Sequence, residues 1–200
     1  LVLEKATQAY RILREKHIDM WLTFVRETSS GGDPVLPLIY GDASLTWPSA
    51  LIFSASGERI AIIGRYELEA ARQTEAYTTL VPYDESIRPS LLSTLERLNP
   101  DTIAINTSKN DVLSDGLTHG MYLMLQDYLK GTPFENRLVS SESIIGALRG
   151  RKTPTEIARI RAAIADTLLI YEHTFVNIRS GMSEREIGHY MHNQLAEMDL

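Results

Sequence analysis

Leu148-Arg149-Gly150-Arg151-Lys152-Thr153-Pro154-Thr155-Glu156-Ile157 and Gly181-Met182-Ser183-Glu184-Arg185-Glu186-Ile187 bracket the segment that decides the fold. Thr153 and Glu156 have the spacing of a capping box, with Pro154 at the first helical position, where its missing N–H costs nothing. Ser183 and Glu186 repeat the box. Between them Ile157, Ile160, Ile164, Leu168, Tyr171, Phe175 and Ile178 recur at three- and four-residue steps, which places them on one helical face. The segment therefore reads as a long amphipathic helix, a break at Gly181, and a second helix. Large apolar side chains of this kind are worth roughly 1.5–3 kcal/mol each when buried. Nothing before Leu200 supplies an obvious surface to cover them. In this chain alone the stripe must pack on the N-terminal domain, pack on a second copy of itself, or fold poorly, and we expect self-association through residues 154–198.

Upstream, helices and strands alternate. Val2 to Lys16 reads as a helix and Ile18 to Val25 as a strand. Ser29-Ser30-Gly31-Gly32-Asp33-Pro34 is a loop by its turn chemistry. Ala50 to Ala55 and Arg59 to Ile63 form a hairpin around Ser56-Gly57-Glu58. Tyr66 to Glu75 and Ile87 to Leu98 read as helices, with a strand at Thr78 to Pro82 between them. A strand at Thr102 to Asn106, a helix from Asp115 to Lys130, a strand at Arg137 to Ser140 and a short helix to Leu148 complete the run. Such alternation specifies an α/β layer with a mixed or mostly parallel sheet. From residue 141 onward only helices are expected. The predicted division is residues 1–147 for the α/β domain and 148–200 for a linker and two helices, with the boundary near Gly150 to Thr153.

With 44% hydrophobic residues, 200 residues hold one sizeable core, or one domain and part of another. A net charge of −6, concentrated before residue 141, argues against nucleic acid as a partner, because no basic stripe is present to neutralise phosphates. No apolar run approaches the roughly 18 residues of a membrane span. The absence of cysteine excludes disulfides, thiolate catalysis and zinc–thiolate sites within these residues. No signal peptide opens the chain, and a cytoplasmic location is expected.

The order of signals resembles the entry into the catalytic domain of the creatinase/prolidase/aminopeptidase P family of metallopeptidases. Leu148-Arg149, Lys152, Glu156-Ile157, Ile160-Arg161 and Ala163 match the family's first run, and Gly181, Ser183-Glu184 and Glu186-Ile187 match its second. Gly150-Arg151 departs from the usual apolar residue before the lysine, and Ser183 replaces a threonine. Residues 1–147 resemble the family's smaller N-terminal domain in element order. The resemblance implies an N-terminal creatinase/prolidase-type domain, a mixed sheet flanked by helices, followed by the first two helices of an incomplete pita-bread domain. It implies a parent enzyme that cleaves short peptides with Pro at the second position, using two divalent ions (Mn, Co or Zn) held by two Asp, one His and two Glu. Those ligands lie in segments this chain does not contain, so no catalytic or metal residue is assigned here, and the chain is expected to be inactive. The N-terminal domain would serve oligomerisation, as a dimer, and restrict the cleft. Two other readings stay open: a stand-alone binding or dimerisation protein, and a creatinase-like C–N hydrolase in full length, since fold alone does not fix chemistry.

Several residues imitate sites. Asp101 and Asp111 stand ten apart, near the spacing of the family's metal aspartates, but both read as turn residues. Glu186-Ile187-Gly188-His189, with His192 beyond, has the Glu-x-x-His spacing of helical di-iron sites without the second helix such a site needs. His119, with Ser114 and Asp111 nearby, lacks a nucleophile elbow. Ser29-Ser30-Gly31-Gly32 lacks the patterns of a phosphate loop. Trp47 and Tyr40, on the connection from Tyr40 to Pro48, are the candidates for a lid or a dimer contact, because large aromatics on loops are enriched at interfaces.

Overall fold

Met20–Val25 (β1) is the centre of the molecule's first unit, and all six of its residues are buried. A computed structural model of the chain describes residues 1–198; the last two residues of the predicted 148–200 segment lie outside the described residues. The elements follow in the order α1 (Val2–Glu15), β1, α2 (Leu36–Ile39), β2 (Ser49–Ser54), β3 (Arg59–Gly64), α3 (Leu68–Gln73), β4 (Thr79–Tyr83) and α4 (Arg88–Leu98). They continue with β5 (Ile103–Ile105), α5 (His119–Leu129), β6 (Leu138–Ser140), α6 (Glu142–Gly150), α7 (Pro154–Asn177) and α8 (Glu184–Glu197). The chain divides into two compact units, Leu1–Arg151 and Lys152–Leu200. The division falls within the Gly150 to Thr153 stretch, while residues 148–150, read as linker, belong to the first unit, because α6 runs on to Gly150 and Leu148 is wholly buried in its core.

The sheet of the first unit has strand order β4-β3-β2-β1-β5-β6. Only β2 runs against its neighbours; the β3–β4, β1–β5 and β5–β6 pairs are all parallel. This is the mixed α/β sheet expected from the alternating elements. Both faces are covered, which is why β1, β2 and most of β3 read as continuous apolar runs rather than alternating ones. On one face Trp21, Leu51, Phe53, Ala61 and Ile63 meet α1, α2 and α6. Trp21 lies opposite Phe53 in register, with ring centroids 5.3 Å apart, a stacked cross-strand pair. On the other face Met20, Leu22, Phe24, Ile52, Ile60, Ile62, Ile103 and Ile105 meet α4 and α5.

The end of α6 is fastened by α1. Lys5 is fully buried, yet its ammonium donates to the Leu148 carbonyl at 2.7 Å and to the Arg151 carbonyl at 2.9 Å. A cation on the C-terminal carbonyls of a helix is favourable both as a hydrogen-bond donor and against the macrodipole. Arg151 itself makes a two-point pair with Glu15, at 2.6 and 2.7 Å, and its guanidinium holds the Glu15 carboxyl below the usual range.

In the second unit both predicted capping boxes form. The Thr153 N–H reaches Glu156 at 2.7 Å and the Ser183 N–H reaches Glu186 at 2.8 Å, with the hydroxyls accepting the return bonds. Gly181 between the helices has φ +96°, a left-handed conformation that a side chain would strain. Helix α7 turns against α8 through His173 Nδ1 and Gln194 Oε1, 2.9 Å apart. Among the described residues no helix is long and apolar enough to cross a membrane.

Candidate functional site

The carboxyl ends of β1 and β5 open into a cleft of about 510 Å³. In open α/β sheets this edge is where ligands bind, because loops diverge there and leave a crevice. Arg26 and Glu27 follow β1, Gly31, Gly32 and Asp33 come from the next loop, Trp47 and Pro48 precede β2, and Gly116, Thr118 and Met121 lie before and in α5. Gly31 and Gly32, the end of the Ser29–Gly32 stretch predicted to be a plain surface turn, therefore line one wall.

Asp33 anchors the cleft and is only 4% exposed. Its Oδ1 accepts the Val35 N–H at 2.9 Å and its Oδ2 accepts the Asn106 amide at 2.5 Å. Asn106 in turn extends the β1–β5 pairing: its Oδ1 accepts the Phe24 N–H at 3.1 Å and its amide donates to the Phe24 carbonyl at 3.3 Å. The Asn106 carbonyl takes the Leu117 N–H at 2.9 Å. A Cβ added at Gly116 would stand 2.0 Å from Asp33 Oδ2, so the carboxylate fills the place of a side chain there. Arg149 donates to the carbonyl of Pro34, beside Asp33. This buried node ties the loop after β1 and the loop after β5 to β1, with α6 joined to it through Arg149.

Burial raises the Asp33 carboxyl above its ordinary value, against the opposing pull of the Val35 and Asn106 hydrogen bonds and the nearby Arg149. A carboxyl raised on folding binds protons more tightly in the native state, so its contribution to stability increases as pH falls through the raised value. The increase levels off below the unfolded carboxylate range, about pH 4. The unfolding free energy of wild type relative to Asp33→Asn is accordingly expected to grow as pH is lowered from 7 to 4, as read by urea denaturation. A difference that shrinks over that range would refute the assignment.

Trp47 forms the opposite wall and is held rather than hinged. Glu67, just before α3, accepts the N–H groups of Trp47 and Gly64 at 3.1 Å each and that of Thr46 as well. Gly64 is required here: a Cβ would lie 2.8 Å from the indole. Tyr66 meets Trp47 edge-on at 6.1 Å and is 88% exposed. Trp47 is half-buried and keeps a surface for a ligand or a partner. Tyr40 does not. It is 1% exposed, packed beside Tyr77 in the core, so the expectation of a lid role for it is corrected: it closes α2 onto the core and presents nothing outward.

The other candidates separate. Asp101 is exposed and faces Arg137, while Asp111 caps the turn at Val112–Ser114 by accepting the Leu113 N–H. Ser114 donates to Asp111 at 2.7 Å, which lowers the Asp111 carboxyl. His119 is the exposed first residue of α5, outside that pair. His189 and His192 are exposed on α8, and Glu186 is committed to its capping box. Among the described residues no group of three or more His, Cys, Asp or Glu is arranged to hold a metal. The cleft offers hydrogen-bonding groups and an aromatic wall, but its lining has no Ser, Cys or Lys nucleophile and no His base.

No protein-family model matches the chain, and no curated protein matches it. Solved structures do. The chain is similar to an Xaa-Pro dipeptidase from Bacillus anthracis at 18% identity and a TM-score of 0.59, over 99% of this chain and 50% of that one. It is similar to X-Pro aminopeptidase from Thermotoga maritima MSB8 at 19% identity and a TM-score of 0.59, over 94% of this chain and 49% of that one. The N-terminal domain of an Xaa-Pro dipeptidase from Lactobacillus brevis matches at 14% identity and a TM-score of 0.51, over 72% of this chain and 98% of that domain. The chain thus spans about half the length of the first two structures, and the fold is that of the N-terminal portion of such peptidases.

Proposed function

We propose that these residues are the N-terminal, non-catalytic portion of a metal-dependent Xaa-Pro dipeptidase or aminopeptidase. The observation that supports this most is the extent of the likeness: 99% of the chain, its helical second unit included, aligns with half of an Xaa-Pro dipeptidase. In this reading the first unit serves oligomerisation, as a dimer, and narrows a catalytic cleft to short peptides. Trp47, rigidly held at the edge of the β1–β5 cleft, is the residue suited to that task.

The two divalent ions of the longer enzyme, Mn, Co or Zn, do not fit the residues described here, since no cluster of donors is present among them. No bond-breaking step is therefore assigned to this chain. Its location is proposed to be cytoplasmic, and the substrates of the longer form to be short peptides with Pro second. A stand-alone binding or dimerisation protein is the second reading, favoured by the first unit's sheet being covered on both faces by its own helices.

Two measurements test the proposal. The 200-residue chain, supplied with Mn²⁺, Co²⁺ or Zn²⁺, is expected to leave Xaa-Pro dipeptides intact, and the native protein is expected to have a mass well above 22.5 kDa and to hydrolyse them. A native mass near 22.5 kDa would remove the peptidase reading in favour of the binding protein. Hydrolysis by the short chain would overturn the non-catalytic assignment.

A further inference from the structure

Trp47 and Pro48 also border a second crevice of about 280 Å³, between the start of β2, the end of β4 and α5. Trp47, Tyr83 and Tyr128 line it together with Pro48, Asp84 and Glu85, and no Lys or Arg does. The Trp47 and Tyr83 rings are 5.6 Å apart and inclined at 46°, so they form two walls rather than a closed stack. Both are fixed. The Tyr83 hydroxyl donates to the Pro48 carbonyl at 2.7 Å, and the Trp47 backbone is held by Glu67. Tyr128 is set edge-on against Phe24, with centroids 6.4 Å apart.

The charges at the mouth do not cancel. Asp84 is taken by Arg65 in a two-point pair at 2.6 and 2.7 Å. Glu85 is exposed and makes no hydrogen bond or ion pair among the described residues. What remains is one uncompensated carboxylate in a lining that also holds three aromatic rings, Trp47 and Tyr128 half-buried and Tyr83 7% exposed, and the face of each ring carries the negative side of its quadrupole. Such a crevice repels anions and attracts a single positive charge surrounded by methylenes or methyls. Because the rings are already in place, a ligand loses little free energy in ordering them.

We propose that this crevice binds an alkylammonium group, with Trp47, Tyr83 and Tyr128 as its walls and Glu85 as its counter-charge. The ammonium can come from a lysine side chain or from a peptide amino terminus. The site belongs to the first unit alone, so its test is independent of peptidase activity.

The chain has two tryptophans, which makes the indole N–H resonance of Trp47 a direct reporter and that of Trp21 an internal control. Choline and its neutral isostere 3,3-dimethyl-1-butanol are titrated at constant ionic strength. Choline is expected to shift the Trp47 resonance saturably, to leave Trp21 in place, and to bind about fivefold tighter than the alcohol. Glu85→Gln is expected to weaken choline about threefold and leave the alcohol unchanged, and Tyr128→Leu, which keeps the Trp47 reporter, to weaken both. Titrations of N-acetyl-lysine methylamide and alaninamide then separate the two ammonium sources. Equal affinity for choline and the alcohol would reduce the site to an apolar crevice and overturn the proposal, as would the absence of a saturable shift. A loss in Glu85→Gln that affects both ligands alike would overturn the role of the carboxylate.

Discussion

Gly116→Ala is expected to lower the unfolding free energy by about 3 kcal/mol, the range of substitutions that break a buried hydrogen-bonded network. A glycine replaced in a loop ordinarily gains about 0.4–1 kcal/mol, because the unfolded chain has fewer conformations to lose. Here the opposing term wins. The new Cβ would lie 2.0 Å from Asp33 Oδ2 and 2.2 Å from its Cγ, so the carboxylate must leave. It has nowhere to go, being 4% exposed and bonded on both oxygens. Its departure leaves the Val35 N–H and one donor of Asn106 buried without partners, and each such group costs about 1–3 kcal/mol. Gly146→Ala is the control. It lies within α6 with nothing within 4 Å of an added Cβ, so it is expected to be neutral or to stabilise by up to about 1 kcal/mol. Urea denaturation of the two variants reads the contrast. A Gly116→Ala protein within about 0.5 kcal/mol of wild type would show that Asp33 has room to move and that the node does not tie the loops together.

What was legible in the sequence depended on how far apart the interacting residues are. The boxes at Thr153/Glu156 and Ser183/Glu186 are read directly, because donor and acceptor are three residues apart and the spacing is itself the geometry. The start of α5 was misplaced at Asp115 for the same reason in reverse. Thr118 caps the helix by accepting the Met121 N–H, but no Glu or Gln follows at the box position, and Asp115 spends its carboxylate on the Ser108 N–H. Tyr40 gave no sign of burial, since α2 is four residues long and too short to show a period. The cleft's anchor was out of reach. Asp33 and Asn106 are 73 residues apart, and alone Asp33 reads as an ordinary turn residue and Asn106 as the end of a strand. Gly116 was invisible as a constraint because the sequence does not say which side chain fills the space beside a glycine. Trp47 was recognised as an aromatic on a loop, whereas the partners that fix it, Gly64 and Glu67, come from the end of β3 and the turn after it.

Ile164→Glu combined with Leu168→Glu is expected to convert the 200-residue chain from a self-associating species into a monomer. The apolar stripe of α7 is there as predicted, and it is open: Ile160 is 44% exposed, Ile164 54%, Leu168 57%, Tyr171 47% and Phe175 74%. Val176, beside it, is 74% exposed. A contiguous apolar surface of this size is uncommon on a soluble monomer and marks a surface that meets something. The helix does not depend on that partner for its start, because Thr153, Pro154 and Glu156 fix its first turn. It is therefore present and presented before anything covers it. Side chains already half-buried gain only about half of the roughly 1.5–3 kcal/mol of full burial. Association costs on the order of 4–15 kcal/mol in lost freedom, so these gains are enough for a weak complex and no more. Sedimentation velocity from about 1 to 100 μM is expected to show a concentration-dependent dimer in wild type and a monomer in the double variant, in keeping with that range of affinity. Circular dichroism guards the comparison. Both glutamates lie mid-helix at exposed positions and have good helical propensity, so helix content should be unchanged. A wild-type chain that is monomeric across the range with its helices intact would show that α7 tolerates its stripe in water, and the self-association reading would fall.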